Sequence, residues 1–231
     1  MKVGILSDIH GNSDALTRVL EDASDKAVEK FLVLGDIVGY YYHPEEVIKL
    51  LSKLPHEIIR GNHEVILQDI QEKKIDKKII MNKYGSGHEV ALQNLSKNTL
   101  NWLYSLPLQK SLEVDGVHFQ MNHGSPWNYD EYIYPDADTK VLDKCDSEKH
   151  DFVLIGHSHY AFSYKCEYSI LINSGSVGQS RRKGGVAEWA LVDTETMEHQ
   201  LMETPYDVSK LLKEVLKNDP NVTYNLKILT R

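Results

Sequence analysis

The chain has 231 residues, of which 41% are hydrophobic, and a formal net charge of -8. A chain of this length buries roughly 70% of its unfolded surface, so it can fold as one globular domain without disulfides. The acidic balance argues against a protein that coats nucleic acid, because that function needs a basic face. No apolar stretch approaches the length of about 20 residues that spans a bilayer, which argues against a membrane partner.

The cysteines and the N-terminus favour a cytoplasmic protein. Cys145 and Cys166 are far apart in the sequence and lack metal-binding spacing, so reduced thiols are expected. The apolar run at residues 3–6 is too short for a signal peptide and is followed by the polar pair Ser7 and Asp8.

Strand, loop and helix alternate three times in the first third of the chain. Short apolar strands are predicted at residues 3–6, 31–34 and 56–59. An amphipathic helix capped by Asn12 or Ser13 follows the first strand, and a second helix is predicted at 45–54. Strands that are apolar throughout indicate a sheet covered on both faces, and in such sheets ligands bind beyond the carboxyl ends of the strands.

The remainder of the chain is predicted to be helical first and then mostly β. A helical cover is predicted at 86–94 and 99–106, and a helix that needs a packing partner at 208–216. Between these helices lie strands that we expect to form a second sheet with mostly antiparallel neighbours, at residues 117–121, 152–155, 160–164, 169–172 and 186–192. The expected organisation is a single domain over 1–231, with a short C-terminal helical tail at about 206–231.

Polar residues follow the predicted strands at five points. They comprise carboxylates, imidazoles and amides, namely Asp8, His10, Asp36, Asn62, His63, Asn122, His123, His157 and His159. Nitrogen and oxygen ligands of these kinds suit divalent first-row metals, and the absence of cysteine argues against a structural thiolate zinc site. The spacings Asp8-x-His10 and His157-x-His159 would place two side chains on the same side of a straight strand. One such motif alone is more often a surface loop, but five together predict a metal site.

The motifs resemble the signature of the calcineurin-like metallophosphoesterases. They stand here as Asp8-Ile9-His10, Gly35-Asp36, Gly61-Asn62-His63-Glu64, His123-Gly124 and Gly156-His157-Ser158-His159. Further stretches resemble the small prokaryotic branch of phosphoesterases related to diadenosine tetraphosphatases, at residues 35–40, 123–126 and 173–178. That branch often has proline where Ser174 stands and an acidic residue near Arg182, departures that leave the metal set intact.

The resemblance implies an α/β fold, a four-layer sandwich of two mixed β-sheets flanked by helices. It also implies two divalent metal ions, with manganese favoured and iron, zinc, nickel or cobalt as alternatives. Asp36 would be shared by both ions, the first of which would be held by Asp8, His10, Asp36 and His159, and the second by Asp36, Asn62, His123 and His157. The implied reaction is in-line attack of a metal-bridging hydroxide on phosphorus, with His63 assisting the leaving group.

Substrate recognition is predicted in two loops and at two asparagines. Tyr40, Tyr41 and Tyr42 could stack on a nucleobase or simply pack in the interior. Arg181, Arg182 and Lys183 could bind phosphate or form a solvated charge run. Asn12 and the ligand Asn62 are the other candidates for contact with phosphate. Six further histidines receive no role, namely His43, His56, His88, His118, His150 and His199.

The sequence favours a phosphodiesterase or phosphatase acting on a small phosphorylated or nucleotide substrate. A diadenosine polyphosphate hydrolase is the first alternative. The alternative from another class is a non-catalytic protein-binding scaffold on the same fold, as in the retromer subunit that resembles this family, but such a scaffold would not need the complete ligand set or His63. A nuclease is disfavoured by the acidic charge. The sequence leaves open whether the protein is a homo-oligomer.

Overall fold

The computed structural model describes residues 1–231 as ten strands and nine helices. The strands are β1 (Lys2–Leu6), β2 (Lys30–Val33), β3 (His56–Ile58), β4 (Gln109–Val114), β5 (Val117–Asn122), β6 (Phe152–Ile155), β7 (Ala161–Lys165), β8 (Ile170–Ser174), β9 (Val186–Asp193) and β10 (Glu198–Pro205). The helices are α1 (Ser13–Asp25), α2 (Pro44–Leu51), α3 (Asn62–Gln71), α4 (Lys77–Tyr84), α5 (Gly87–Asn94), α6 (Lys97–Ser105), α7 (Thr139–Asp143), α8 (Ser209–Asn218) and α9 (Thr223–Leu229). No helix is both long enough and apolar enough to cross a membrane.

The strands form two mixed five-stranded sheets. The first has the order β10-β9-β1-β2-β3, in which β1, β2 and β3 are parallel and β9 runs antiparallel to β1. The second has the order β4-β5-β6-β8-β7, in which the three central strands are parallel and both edge strands are antiparallel. The implied pair of mixed sheets is therefore confirmed.

Two expectations about the second sheet are wrong. Its neighbouring strands are not mostly antiparallel, because half of its four pairings are parallel. The strand predicted at 186–192 is β9, which lies in the first sheet and pairs with β1. Alternating hydrophobicity identifies a strand with one face against a core, but it does not identify the neighbour to which that strand binds.

Alternate side chains of a strand point either to the core between the two sheets or to the core between a sheet and its helices. In β1, Val3 and Ile5 pack between the two sheets, whereas Leu6 faces the outer core beneath α1. In β6, Phe152 points to the inter-sheet core and Val153 packs outward with the residues of α7. Both central strands are buried on both faces, which is why they read as continuous apolar runs. Helices cover the outer face of each sheet, which gives the four-layer sandwich.

Two helices of the middle segment were not located from the sequence. The predicted helices at 86–94 and 99–106 correspond to α5 and α6. Residues 62–71 and 77–84 form α3 and α4 as well, so Asn62 and His63 occupy the first turn of a helix. This places their side chains over the carboxyl end of the first sheet.

The predicted C-terminal helix finds its packing partner in the three tyrosines that follow β2. Leu211 and Val215 of α8 pack with Tyr40, Tyr41 and Tyr42 in one buried cluster. The hydroxyl of Tyr42 also donates a hydrogen bond to Asp219, the residue after α8 (2.7 Å). The tail therefore fixes the loop that carries these tyrosines.

Candidate metal centre

Histidines and carboxylates from both sheets meet at the carboxyl ends of the parallel strands. They form three groups whose candidate ligand atoms lie within 4.8 Å of one another, namely Asp8 with His10 and His159, His10 with Asp36 and His63, and Asp36 with His123 and His157. Asn62 joins the last group, since its Oδ1 lies 2.9 Å from His123 Nε2. The structure therefore brings together all seven of the predicted metal ligands.

The first group is organised around Asp8 Oδ1. This oxygen lies 3.1 Å from His159 Nε2 and 3.6 Å from His10 Nε2, and the two Nε2 atoms are 3.2 Å apart. The other ring nitrogen of each histidine faces a backbone carbonyl, Val38 O at 3.0 Å and Gln179 O at 2.8 Å. Because a carbonyl oxygen can only accept, Nδ1 carries the proton in both rings, and the Nε2 lone pairs face the centre.

The other two groups share Asp36. Its Oδ2 lies 3.3 Å from His123 Nε2 and 3.8 Å from His10 Nε2, so one oxygen atom borders both groups. Its Oδ1 accepts a hydrogen bond from the backbone N–H of His63 (2.8 Å), which fixes the carboxylate plane. His123 Nδ1 donates to Leu34 O (2.8 Å), which directs its Nε2 towards Asp36 and Asn62.

Three buried polar atoms at the centre have no hydrogen-bond partner. They are Asp8 Oδ1, Asp36 Oδ2 and His157 Nε2. A buried polar group without a partner costs about 1–3 kcal/mol, and more when it is charged. A cation at their point of convergence would satisfy all of them, and the nitrogen and oxygen donors match the preferences of divalent first-row metals. The residues therefore fit a divalent metal centre.

The ionisation states of the buried carboxylates and histidines also favour a bound cation. Burial favours the neutral form of Asp8 and Asp36, yet the neighbouring imidazoles hold both pKa values below their usual range, so both are ionised. Burial lowers the pKa of His123, but the Asp36 and Asp8 carboxylates outweigh it and raise that pKa to about 10. Burial and His123 lower the pKa of His157 to about 3. The two buried carboxylates thus need a positive charge beside them.

Five of the seven predicted ligands have left-handed backbone. The φ angles of Asp8, His10, Asp36, His157 and His159 lie between 52° and 62°. Residues other than glycine rarely adopt this region, and each instance costs of order 1–3 kcal/mol. The surrounding structure holds them there, for example through the hydrogen bond from His10 N to Asp36 O (2.8 Å).

The prediction that Asp8-x-His10 and His157-x-His159 lie on straight strands is wrong. β1 ends at Leu6 and β6 at Ile155, so neither motif lies on a straight strand. Asp8 and His10 point to one centre because both have left-handed backbone, and the same holds for His157 and His159. The spacing predicted the meeting of the side chains, but its physical cause is a turn.

Glu64 holds the loop after β2 by its carboxylate. One oxygen accepts from the backbone N–H groups of Ile37 (2.7 Å) and Val38 (3.1 Å). The other accepts from those of Asp36 and Gly61, both at 2.9 Å. This side chain is fully buried and both its oxygens accept from backbone N–H groups, so its role is structural.

Glu64→Gln should lower the free energy of unfolding by roughly 2–4 kcal/mol, because the amide nitrogen would face two N–H donors that have lost their acceptor. Chemical denaturation of the metal-free protein measures this. The matched control is Glu72→Gln on the exposed surface, which should leave stability at the wild-type value. Equal stability of the two variants would contradict the anchoring role.

His63 is held between aromatic rings. It stacks on His88 (4.9 Å between ring centroids, 15° between planes) and on Tyr40 (5.0 Å, 25°), and Tyr84 and His10 meet it edge-on. Its Nδ1 is buried without a partner, and burial lowers the pKa of His63 well below its usual range. The ring is therefore neutral and rigidly oriented. His88, which received no role from the sequence, is part of this support.

Two glycines permit this close approach. A Cβ at Gly39, where φ is +91°, would overlap the imidazole of His63. A Cβ at Gly61 would overlap Asp36 Oδ1 and the Asp36 backbone nitrogen. Glycine at these positions lets the loop after β2 and the start of α3 pack directly against each other.

Comparisons with known proteins agree with this geometry. The sequence model of the calcineurin-like phosphoesterase superfamily domain matches residues 1–197. The chain belongs to this superfamily. The uncharacterized protein MJ0912 of Methanocaldococcus jannaschii is 30% identical over 234 residues, which cover 94% of this chain and 92% of that protein.

Two crystal structures show the same fold over nearly the whole chain. The hypothetical protein PH1004 of Pyrococcus horikoshii superposes with a TM-score of 0.83 at 25% identity, covering 100% of this chain and 98% of that one. A metallophosphoesterase of Sphaerobacter thermophilus superposes with a TM-score of 0.79 at 24% identity, covering 98% of each chain. Superfamily membership and the three ligand groups together indicate a divalent metal site.

Unlike the predicted metal ligands, several of the residues predicted to bind substrate are not available to a substrate in this superfamily member. Asn12 has no group left for phosphate, because its Oδ1 caps α1 at Ala15 N (3.1 Å) and its Nδ2 donates to Gly178 O (2.9 Å) and Tyr206 Oη (3.1 Å). This departs from the predicted contact of Asn12 with substrate. Tyr40, Tyr41 and Tyr42 are buried, so they offer no open face on which a base could stack.

Of the basic residues after β8, only Arg181 lies beside the metal groups. Its backbone N–H donates to His159 O (3.3 Å), and its guanidinium forms no ion pair with any carboxylate. Arg182 is instead paired with Glu188 (2.7 Å) and Glu203, which explains its presence without a substrate. Lys183 is exposed.

Proposed function

We propose that the chain is a hydrolase of phosphate esters that works with two divalent metal ions, manganese by preference. The observation that supports this most strongly is that Asp36 Oδ2 lies 3.8 Å from His10 Nε2 and 3.3 Å from His123 Nε2. On this proposal Asp8, His10, Asp36 and His159 hold one ion, and Asp36, Asn62, His123 and His157 hold the other. The position of Asp36 Oδ2 between His10 and His123 suits a shared ligand.

Two ions in such a site neutralise phosphate charge and lower the pKa of a water molecule that serves as nucleophile. The chain's own residues supply position and hydrogen bonds. His63, neutral and rigid between Tyr40 and His88, donates a hydrogen bond to the leaving oxygen. Arg181, whose charge has no carboxylate partner, binds a phosphate oxygen. The amide of Asn62 lies close enough to the centre to contact the phosphate as well.

The substrate is proposed to be a phosphodiester or phosphomonoester of a small molecule, with a dinucleoside polyphosphate as the alternative. A non-catalytic scaffold is the competing function. The retention of every predicted ligand and of an ordered His63 favours the hydrolase, because partner binding requires none of these buried polar groups.

Metal analysis followed by a substrate panel tests the proposal. The purified protein should bind about two manganese ions per chain, and chelation should abolish turnover that added manganese restores. The panel contains a diester, a monoester and a dinucleoside polyphosphate, which separate the three substrate classes. Full metal occupancy without turnover of any of the three would overturn the hydrolase and favour the scaffold.

A further inference from the structure

An exposed aromatic surface begins in direct contact with the metal centre. The ring of Tyr132 stacks on that of the predicted ligand His157 (3.9 Å between centroids, 24° between planes). Tyr134 lies parallel to Tyr132 (5.8 Å, 8°), and Tyr160 meets Tyr134 edge-on (6.0 Å). Tyr132 remains 42% exposed and Tyr134 38% exposed. Aromatic rings that keep this much surface in water next to a candidate site are available to a ligand.

The local sequence explains why both tyrosines face outward. Ile133, between them, is buried in the core beneath α7 with Leu142 and Cys145. Tyr132 and Tyr134, on either side of Ile133, are exposed and their rings are parallel, so they face outward on the same side. The segment is also anchored at its start, where Ser125 Oγ donates to Glu131 (3.0 Å). The aromatic surface is therefore pre-formed.

Arg181 joins this surface to the metal centre. Its guanidinium carbon lies 5.5 Å from the centroid of the Tyr132 ring, and its backbone is bonded to His159. Its Nε is buried and has no hydrogen-bond partner. A positive charge without a carboxylate partner, set between a metal site and an open aromatic surface, suits a ligand with both a phosphate and a flat ring.

We propose that Tyr132 and Tyr134 form a stacking surface for the base of a nucleotide substrate whose phosphate lies at the metal centre beside Arg181. This inference rests on the proposed function and narrows it to nucleoside phosphoesters. In a nucleotide one sugar separates the base from the phosphorus atom. Tyr132 contacts His157, a predicted metal ligand, so one nucleotide can reach both the metal centre and the tyrosine surface. Stacking on an aromatic face tolerates any base.

The experiment compares two ligands that differ only in the base. They are the non-hydrolysable phosphonate analogues of AMP and of ribose 5-phosphate, whose binding to the manganese-loaded protein is measured by calorimetry. The AMP analogue should bind about tenfold or more tightly than the sugar analogue. Tyr132→Ala should abolish that preference and leave the affinity for the sugar analogue unchanged, whereas Tyr132→Phe should retain it.

Tyr134→Ala provides the second variant, because Tyr134 lies beyond Tyr132 and a change there does not disturb the face of His157. It should lower affinity for the AMP analogue alone. Tyr168→Ala is the matched control, since Tyr168 is 59% exposed and precedes β8 at the end opposite the metal groups. It should bind both analogues as the wild type does.

Three outcomes would overturn the inference. Equal affinity of the wild type for both analogues removes the base site but leaves the hydrolase intact. An equal loss of affinity for both analogues in Tyr132→Ala would mean that Tyr132 serves only to position His157. Failure of the wild type to bind either analogue, together with no turnover on the substrate panel, would reject the proposed function itself.

Discussion

Asp36→Asn should abolish metal binding and lower turnover by about a thousandfold or more, since the metal ions supply several kcal/mol of transition-state stabilisation. Asparagine keeps the shape of the side chain and can still accept the hydrogen bond from His63 N. What it loses is the charge of Oδ2, the atom that lies 3.3 Å from His123 and 3.8 Å from His10. On the proposed ligand assignment both metal ions lose a ligand, because Asp36 is shared between them.

Thermal unfolding separates loss of metal from loss of fold in this variant. Manganese at 100 times its Kd should stabilise the wild type by about 2.7 kcal/mol, and this gain should be absent in Asp36→Asn. The metal-free variant should be less stable than the metal-free wild type, because the imidazoles that hold the pKa of Asp36 below its usual range stabilise the charge that asparagine lacks. Asp69→Asn, on the surface of α3, is the control and should keep both metal and turnover. An active Asp36→Asn protein with about two metals per chain would contradict the shared-ligand role.

The sequence was sufficient to assemble the metal site because its ligands follow directly after strands or lie in the first turn of α3. Parallel strands bring their carboxyl ends to one edge, so chain order alone places Asp8 beside Asp36. The same argument applies to His123 and His157, which follow the parallel strands β5 and β6. Parallel order gathers the ligands within each sheet, and the resemblance to the metallophosphoesterases indicated that the two sets meet at one centre.

The pairing of β9 and the burial of the tyrosine loop after β2 are set by contacts between residues far apart in the sequence, which local sequence patterns do not show. β9 pairs with β1 across almost the whole chain, and β10 is a mostly exposed edge strand with little alternation to reveal it. The burial of Tyr40 to Tyr42 is set by α8 and α9, which lie far along the sequence. Asn12 was considered for phosphate because it follows His10, but capping of α1 and the contact with Tyr206 use its polar groups.

The left-handed backbone of the ligand loops also escaped sequence reasoning. Aspartate and histidine are enriched among non-glycine residues at positive φ, but that preference is too weak to locate such a turn. Tyr132 was missed for a different reason. It lies in a loop between β5 and α7, and only the folded chain shows that its ring rests on His157.

His63→Ala should leave the metal content unchanged and lower kcat by about 100- to 10,000-fold, the range typical of a residue that transfers or shares a proton in the transition state. His63 lies beside Asp36 and His10, but its Nδ1 has no protein partner, and its ring is oriented by Tyr40 and His88. A side chain that is neutral, fixed and otherwise unbonded is suited to act on the substrate.

The decisive readouts for His63→Ala are metal content, the split between kcat and KM, and rescue by added imidazole. Because the substitution leaves a cavity between Tyr40 and His88, imidazole can occupy it and should restore part of the turnover. The control is His118→Ala, an exposed histidine at the opposite end of β5 from His123, which should keep wild-type kcat. Wild-type kcat in His63→Ala would remove the residue from the mechanism. Loss of metal in that variant would instead make it a ligand, since His63 already lies within one of the three groups of potential metal-binding side chains.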